Sequence, residues 1–275
     1  MNTVVISVLT IAAYLAAAGL IGWRLFHQDL SVARAQQLRR ITVGIAFAGL
    51  LMHTWLLYAG IFAHDALNLA FFNALSLASW TVVATLLISS LTKPVENLGI
   101  VVLPLASIAV GLDMLYPSVG FMGPTASWVL KLHVLLSMLA WSMLALASVQ
   151  AATLAVQDSY LRRRKPTGFV RGLPPLMTME ALLFEMIGIG FVLLTLALIS
   201  GFAFLENMFA QHLVHKTVLS VLAWIVFGWL LVGRKLWGWR GRKAIVWTLT
   251  GFFILILAYF GSKLVLELIL HKHMG

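Results

Sequence analysis

Apolar residues in this chain come in long uninterrupted runs separated by short polar connections. Eight such runs stand out, at roughly 3–23, 40–61, 68–91, 97–115, 127–155, 182–204, 214–233 and 244–269. A helix needs about 20 apolar residues to cross the hydrocarbon core of a bilayer, and each run is long enough. A lipid-spanning segment must satisfy its backbone hydrogen bonds internally, which a helix does. The pattern predicts an all-α polytopic membrane protein with eight transmembrane helices and both termini outside. We read residues 1–275 as a single membrane domain, with helices 1–4 in 1–125 and helices 5–8 in 126–275. The fifth run is longer than a span requires, so its inner end is expected to project into the cytoplasm.

The polar connections set the orientation. The connection 24–39, the segment 156–181 with Arg162, Arg163, Arg164, Lys165 and Arg171, and RKLWGWRGRK at 234–243 are all basic. The alternate connections 62–67, 116–126 and 205–213 contain no Lys or Arg. All but four of the 19 Lys and Arg residues (Lys131, Lys216, Lys263 and Lys272) therefore fall on one side. Basic loops mark the cytoplasmic face, so these connections are expected inside the cell. The first run begins almost at Met1, and its basic residues follow it. That order reads as an uncleaved first helix with its N-terminus outside and not as a secretory signal. No connection exceeds about 26 residues, too short for a folded soluble domain.

Composition agrees and removes other classes. The chain is 61% hydrophobic and 10% charged, with a mean hydropathy of +0.99. The net charge of +10 lies in short loops beside apolar helices, where it meets anionic lipid headgroups, so no nucleic-acid partner is expected. With no cysteine the chain can build no disulfide, no thiolate metal site and no thioether-linked haem. No metalloprotease, nucleophile-elbow, P-loop or dinucleotide motif is present, and an enzyme is not expected.

The histidines are sorted opposite to the arginines. His53, His64, His133, His212, His215, His271 and His273 lie in the outer half, and His27 alone lies inside. Charge sorting has a general cause; histidine sorting has none, and it points to chemistry at the outer face. His133 stands about six residues below the outer end of the fifth run, or ~9 Å deep, and His53 about eight residues below that of the second, or ~12 Å. An ionisable residue in a span is often functional, and equally often a neutral ring hydrogen-bonded to a neighbouring helix. His212 and His215 share a face if their turn is helical, which suits either a metal or the headgroup interface. His271 and His273 form an HxH at the C-terminus. Lys131, Lys216 and Lys263 snorkel to the interface or face an anionic ligand. An apolar cofactor bearing carboxylates and ligated by imidazole would use these parts together, and haem fits that description. Trp55, Trp128, Trp141 and Trp224 are available to pack such a ring, or serve as ordinary interfacial residues. The carboxylates Asp113, Glu180, Glu185, Glu206 and Glu267 sit near span ends, which counts against a proton-coupled transporter. The glycines Gly188, Gly190 and Gly201 of the sixth run are read as points of close helix approach.

Four stretches carry a resemblance: LHVLLSMLAW (132–141), LPPLMTMEALLFEMIGIGFVLLTLALISG (173–201), HKTVLSVLAW (215–224) and GWRGRKAIVWTLTGFFILILAYFGSKLV (238–265). Together they resemble the cytochrome c assembly membrane protein superfamily that includes CcsA, CcmC and CcmF, most of all its short YpjD-like and HemX-like branch. The resemblance implies handling of haem at the outer face, in cytochrome c assembly or haem homeostasis. By it, His133 and His271 match the axial ligands of externally presented haem, and His53 matches a ligand for haem in transit within the membrane. His215 is an alternate ligand, and Lys131 a partner for a propionate. Haem b is the implied cofactor, and other cytochrome c maturation proteins or apocytochrome c are the implied partners. The connection 205–213 lacks the family's tryptophan-rich loop. The chain before GWRGRK reads LLVGRKLW, without the family's second in-membrane histidine. Two other functions remain open: a non-enzymatic membrane scaffold or regulator, and a small-molecule transporter.

Overall fold

The computed structural model describes residues 3–27, 29–62, 67–68, 71–116, 121–122, 128–163, 168–204 and 214–261. Among them are eight helices long and apolar enough to cross a membrane. They are α1 (Thr3–Phe26), α2 (Val32–Leu57), α3 (Phe71–Ser90), α4 (Gly99–Leu115), α5 (Trp128–Arg162), α7 (Leu176–Phe204), α8 (Val214–Trp237) and α9 (Arg242–Ile256), with a short α6 (Gly168–Arg171) between α5 and α7. The only pairing of extended segments among the described residues is a two-residue antiparallel ladder, β1 (Leu67–Asn68) with β2 (Phe121–Met122). Leu51, Ile88, Leu105, Ile199 and Phe253 are all exposed, a surface that suits lipid and not water.

Several helices run further than the apolar runs at their basic ends. α2 starts at Val32 with Ser31 as its cap, its side chain accepting from the Arg34 amide; α7 starts at Leu176 and α8 ends at Trp237. Arg, Gln and Glu are good helix formers, so these helices continue past the hydrocarbon core into the headgroup layer. At 35 residues, α5 is ~52 Å long against a core of about 30 Å, in line with a projecting end. The expected eighth span to 269 runs past the described residues, which end at Gly261.

The chain divides into two compact units. The first comprises Met1–Pro124 and Gln157–Pro175, the second Thr125–Val156 and Leu176–Gly275. In the first, α1 packs against α2 and α4, and α3 against α2 and α4. Tyr14, Ile6, Leu86, Leu98 and Leu103 fill its core. α1 and α2 meet closely because position 49 has no side chain: a Cβ there would stand 2.8 Å from the Tyr14 ring. At the basic end Glu96 accepts from Arg24 (3.3 Å) and Arg39 (3.1 Å), and Arg39 also donates to the Ser90 carbonyl at 2.9 Å. α6 lies against α1, and Gln157 donates to the Pro174 carbonyl at 3.0 Å.

In the second unit, α8 packs against α7 and α9, around Leu144, Met179, Leu183 and Phe227. The Phe191 and Trp224 rings stack at 5.5 Å, and Trp224 Nε1 donates to Thr195 Oγ1 at 2.8 Å. Gln150 Nε2 donates to the Met179 carbonyl at 2.9 Å, joining α5 to α7. Of the three glycines of the sixth run, Gly190 lies against Leu144 and Gly201 against His133, whereas a Cβ at Gly188 would meet nothing. The close-approach reading therefore holds for two of them, and Gly188 turns to open space. The basic end again gathers arginines on one carboxylate: Glu180 accepts from Arg234 at 2.8 Å, and Arg240 stands at 3.6 Å. The turn from α8 to α9 needs two left-handed residues, Gly238 (φ 61°) and Gly241 (φ 54°), which glycine adopts at no steric cost.

Among the described residues, a single turn of π-helix follows α2 at Tyr58–Phe62, and another follows α9 at Leu257–Gly261. Such turns are rare and cluster at functional sites.

Candidate functional site

His133 is set between α5 and α7 of the second unit. Its Nδ1 lies 3.0 Å from the Ala197 carbonyl and 3.1 Å from Ser200 Oγ. A backbone carbonyl can only accept, so the neutral ring must carry its proton on Nδ1 and donate. Ser200 in turn donates to the same Ala197 carbonyl at 2.9 Å, which leaves its oxygen free to accept from His133. The consequence falls on the other nitrogen. Nε2 holds a lone pair, and its nearest partner is Ser137 Oγ at 3.5 Å, the outer limit of a hydrogen bond. A histidine fixed through Nδ1–H to a carbonyl, with Nε2 held by no more than one long contact, is the arrangement that orients imidazole as a metal ligand.

α7 makes room for this ring. A Cβ at Gly201 would stand 3.0 Å from His133 Cε1, so the imidazole packs against α7 at a position where a side chain would press on it. Ser137 and Trp141 follow His133 at intervals of four on α5, forming one stripe. Trp141 packs with Phe252 (5.6 Å), Tyr259 (6.2 Å) and Phe260 (5.6 Å). Its indole Nε1–H is buried and meets no hydrogen-bond partner among the described residues. The stripe thus combines one imidazole lone pair, an aromatic lining and one unanswered donor. Those parts fit a planar, metal-centred ligand held from one side.

His53 is differently placed. It is fully buried in the first unit, with Tyr14 Oη at 3.2 Å from Nδ1 and Ser76 Oγ at 3.0 Å from Nε2. Both ring nitrogens are engaged, so binding iron there requires breaking a buried hydrogen bond. The two histidines matched in depth by the sequence belong to different units and have opposite availability.

The remaining expected site residues fall outside what the structure describes. His271, His273, His64 and His212 lie beyond the described residues, as do Lys263, Lys272, Glu206 and Glu267. Lys131 and His215 are backbone positions in α5 and α8 whose side chains are not described. Among the described residues no three His, Asp or Glu side chains gather as ligands for a bare metal ion. Of the candidate tryptophans, Trp141 joins the His133 stripe, Trp224 is absorbed in packing against Phe191, and Trp55 stays partly exposed on α2. His27, the one inner histidine, stacks on Trp23 at 4.4 Å and bonds the Trp23 carbonyl at 2.9 Å.

Reasoning from sequence missed Ser200, Gly201 and the Ala197 carbonyl as partners of His133, and Tyr14 and Ser76 as partners of His53. Polar residues at helical spacing inside apolar runs were the available signal. Which helices would face each other was not.

Comparison of the sequence with known proteins points to one family. The model of a family described as Cytochrome C assembly protein matches residues 43–270. The inner membrane protein YpjD of Escherichia coli K12 is 34% identical over 237 residues, covering 84% of this chain and 88% of that protein. A 28.8 kDa protein of Azospirillum brasilense is 30% identical over 209 residues, covering 72% of this chain and 77% of its own length. The cytochrome c biogenesis protein CcsA of Rippkaea orientalis is 28% identical over 120 residues, 40% of this chain and 35% of that protein. No solved structure matches. The chain is a multi-pass membrane protein of the cytochrome c assembly family, in its YpjD branch.

Proposed function

We propose that this protein binds or passes haem near the outer face of the bacterial inner membrane, with His133 Nε2 as an axial ligand to the iron. The observation that carries the proposal is the Nδ1 bond to the Ala197 carbonyl at 3.0 Å, which leaves a lone pair on Nε2 facing an aromatic-lined stripe. Haem would arrive as cargo and supply an iron centre for delivery to cytochrome c. The chain's own residues would hold and orient it. Ala197 and Ser200 fix the imidazole tautomer, Gly201 lets the ring lie against α7, and Trp141, Phe252 and Phe260 exclude water from its inner edge. His271 is the proposed second axial ligand, His215 an alternate, and Lys131 a partner for a propionate. Haem b is the proposed form, and the protein makes and breaks no covalent bond of its own. Its proposed partners are apocytochrome c and other cytochrome c maturation proteins. Membership of the family supports this reading, and a relative named for the inner membrane supports the location.

The test is spectroscopic. Purified protein loaded with haem should show a low-spin bis-histidine spectrum, and His133→Ala should lose most of the bound haem while keeping its helix content. Full haem retention in His133→Ala overturns the assignment. A second reading is favoured by the short connection 205–213, which has no tryptophan. On that reading the protein is a membrane scaffold or regulator that keeps the fold, and His133 only ties α5 to α7. A wild-type protein that takes up no haem under any loading condition would support it.

A further inference from the structure

A small cavity of about 20 Å³ lies inside the first unit at its basic end, walled by Ile21, Val43, Ala46 and Leu86 together with Thr42, Ser90 and Glu96. That volume has room for one water-sized group. The polar side chains of its walls are alike in what they offer. Glu96 accepts from Arg24 and from Arg39 through a single oxygen, Oε1. Its other oxygen, Oε2, is buried and meets no hydrogen-bond partner among the described residues. Thr42 and Ser90 donate their hydroxyl protons to the Leu38 and Leu87 carbonyls, at 2.7 Å each, so both hydroxyl oxygens are left as acceptors. A buried acceptor without a partner costs stability. Packing of α1 to α4 does not by itself call for a carboxylate with one oxygen unused. A water-sized space walled by acceptors suits a group that is rich in donors.

We propose that this cavity takes the primary ammonium of an ethanolamine phospholipid from the adjoining leaflet, with the lipid phosphate on Arg39. An ammonium group of this kind is close to water in size and carries three N–H donors. Glu96 Oε2, Thr42 Oγ1 and Ser90 Oγ are the acceptors for them. Charge selects the rest of the headgroup. Two arginines on one glutamate leave the cluster net positive, which repels a bare cation, whereas a zwitterion brings its own anion. Arg39 is the exposed member, with 46% of its side chain exposed against 18% for Glu96. Two of its five N–H donors go to Glu96 and the Ser90 carbonyl, and the others are available to a phosphate oxygen.

The position favours a lipid as the source. Arg24 lies in the last turn of α1 and Arg39 stands at the start of the apolar run of α2. The cluster is therefore at headgroup level, in the leaflet that positive-inside sorting assigns to the cytoplasm. A choline head carries three methyl groups and no N–H, so it neither fits the cavity nor donates to its walls. A glycerol head brings hydroxyls but no positive charge for Glu96. The inference does not rest on haem binding, and the cavity belongs to the unit that does not contain His133.

The test is native mass spectrometry of the full chain, delipidated in detergent and titrated with phospholipids of identical acyl chains and different heads. The ethanolamine lipid should bind about tenfold or more tighter than the choline lipid, as expected for charge-assisted hydrogen bonds that only one of them makes. Its N-methyl and N,N-dimethyl forms should fall between the two. Glu96→Gln removes the negative charge, and Ala46→Val fills the cavity while leaving every ion pair in place. Each should bring the ethanolamine lipid down to the choline level, with melting temperatures checking that both variants fold. Equal binding of the ethanolamine and choline lipids by wild type overturns the proposal, and so does a preference that survives Ala46→Val. Soluble glycerophosphoethanolamine binding as tightly as the lipid overturns the lipid as the source.

Discussion

At the scale of single residues, what separates the two membrane histidines is what their nitrogens face. An acceptor-only carbonyl fixes the His133 proton on Nδ1, while hydroxyls on both sides occupy His53 completely. The sequence shows two histidines in apolar runs; it does not show which atoms surround them, because that depends on the facing helix. Gly201 carries the most specific consequence. Gly201→Ala places a methyl group 3.0 Å from His133 Cε1, tighter than van der Waals contact, so the ring must give by a few tenths of an ångström. Haem affinity should fall at least about fivefold, a loss of roughly 1 kcal/mol at the iron, with little change in melting temperature. Equal haem affinity in wild type and variant would show that ring orientation is immaterial. Gly49→Ala makes the complementary case: its methyl group would stand 2.8 Å from the Tyr14 ring. Overpacking of this kind costs about 1–3 kcal/mol, read as a lower melting temperature with haem affinity intact.

At the scale of elements, helix identity was legible and helix ends were not. Hydropathy marks only the lipid-immersed part of each helix, so α2, α7 and α8 ran on past the apolar runs through Arg, Gln and Glu that remain helical. The purpose of those basic extensions was also hidden. Each unit draws two arginines onto one glutamate at its basic end, Arg24 and Arg39 on Glu96, Arg234 and Arg240 on Glu180. Positive-inside sorting explains the sign of these residues; the ion pairs use that charge to join helices far apart in sequence. Arg234 also lies over the Phe184 ring at 4.6 Å. Arg234→Met should therefore destabilise the α7–α8 pairing by about 1.5–3 kcal/mol, the range for hydrogen bonds to charged groups. A thermal melt in detergent that does not change would put the pairing's strength elsewhere, in Phe191 and Trp224.

At the scale of the whole molecule, charge and histidine sorting predict one orientation, and the absence of cysteine makes it easy to test. Tyr116→Cys, at the histidine-rich end of α4, should react with a membrane-impermeant maleimide in intact cells. Arg163→Cys, at the basic end of α5, should react only after the membrane is opened; the reverse pattern would invert the topology. Membership of the family was readable from GWRGRK and AYFG with their spacing, since those residues build the α8–α9 turn and the π-helical turn. The geometry of the haem proposal was not, because Ala197 and Ser200 reach His133 from 64 and 67 residues away. The central claim is that His133 Nε2 ligates haem iron. Its most direct test is the haem content per chain, by pyridine haemochrome, of purified wild type and His133→Ala loaded under the same conditions. The account predicts a reduced spectrum with sharp α and β bands and near-stoichiometric haem in wild type, and loss of most of it in the variant. Equal haem in both proteins would contradict it.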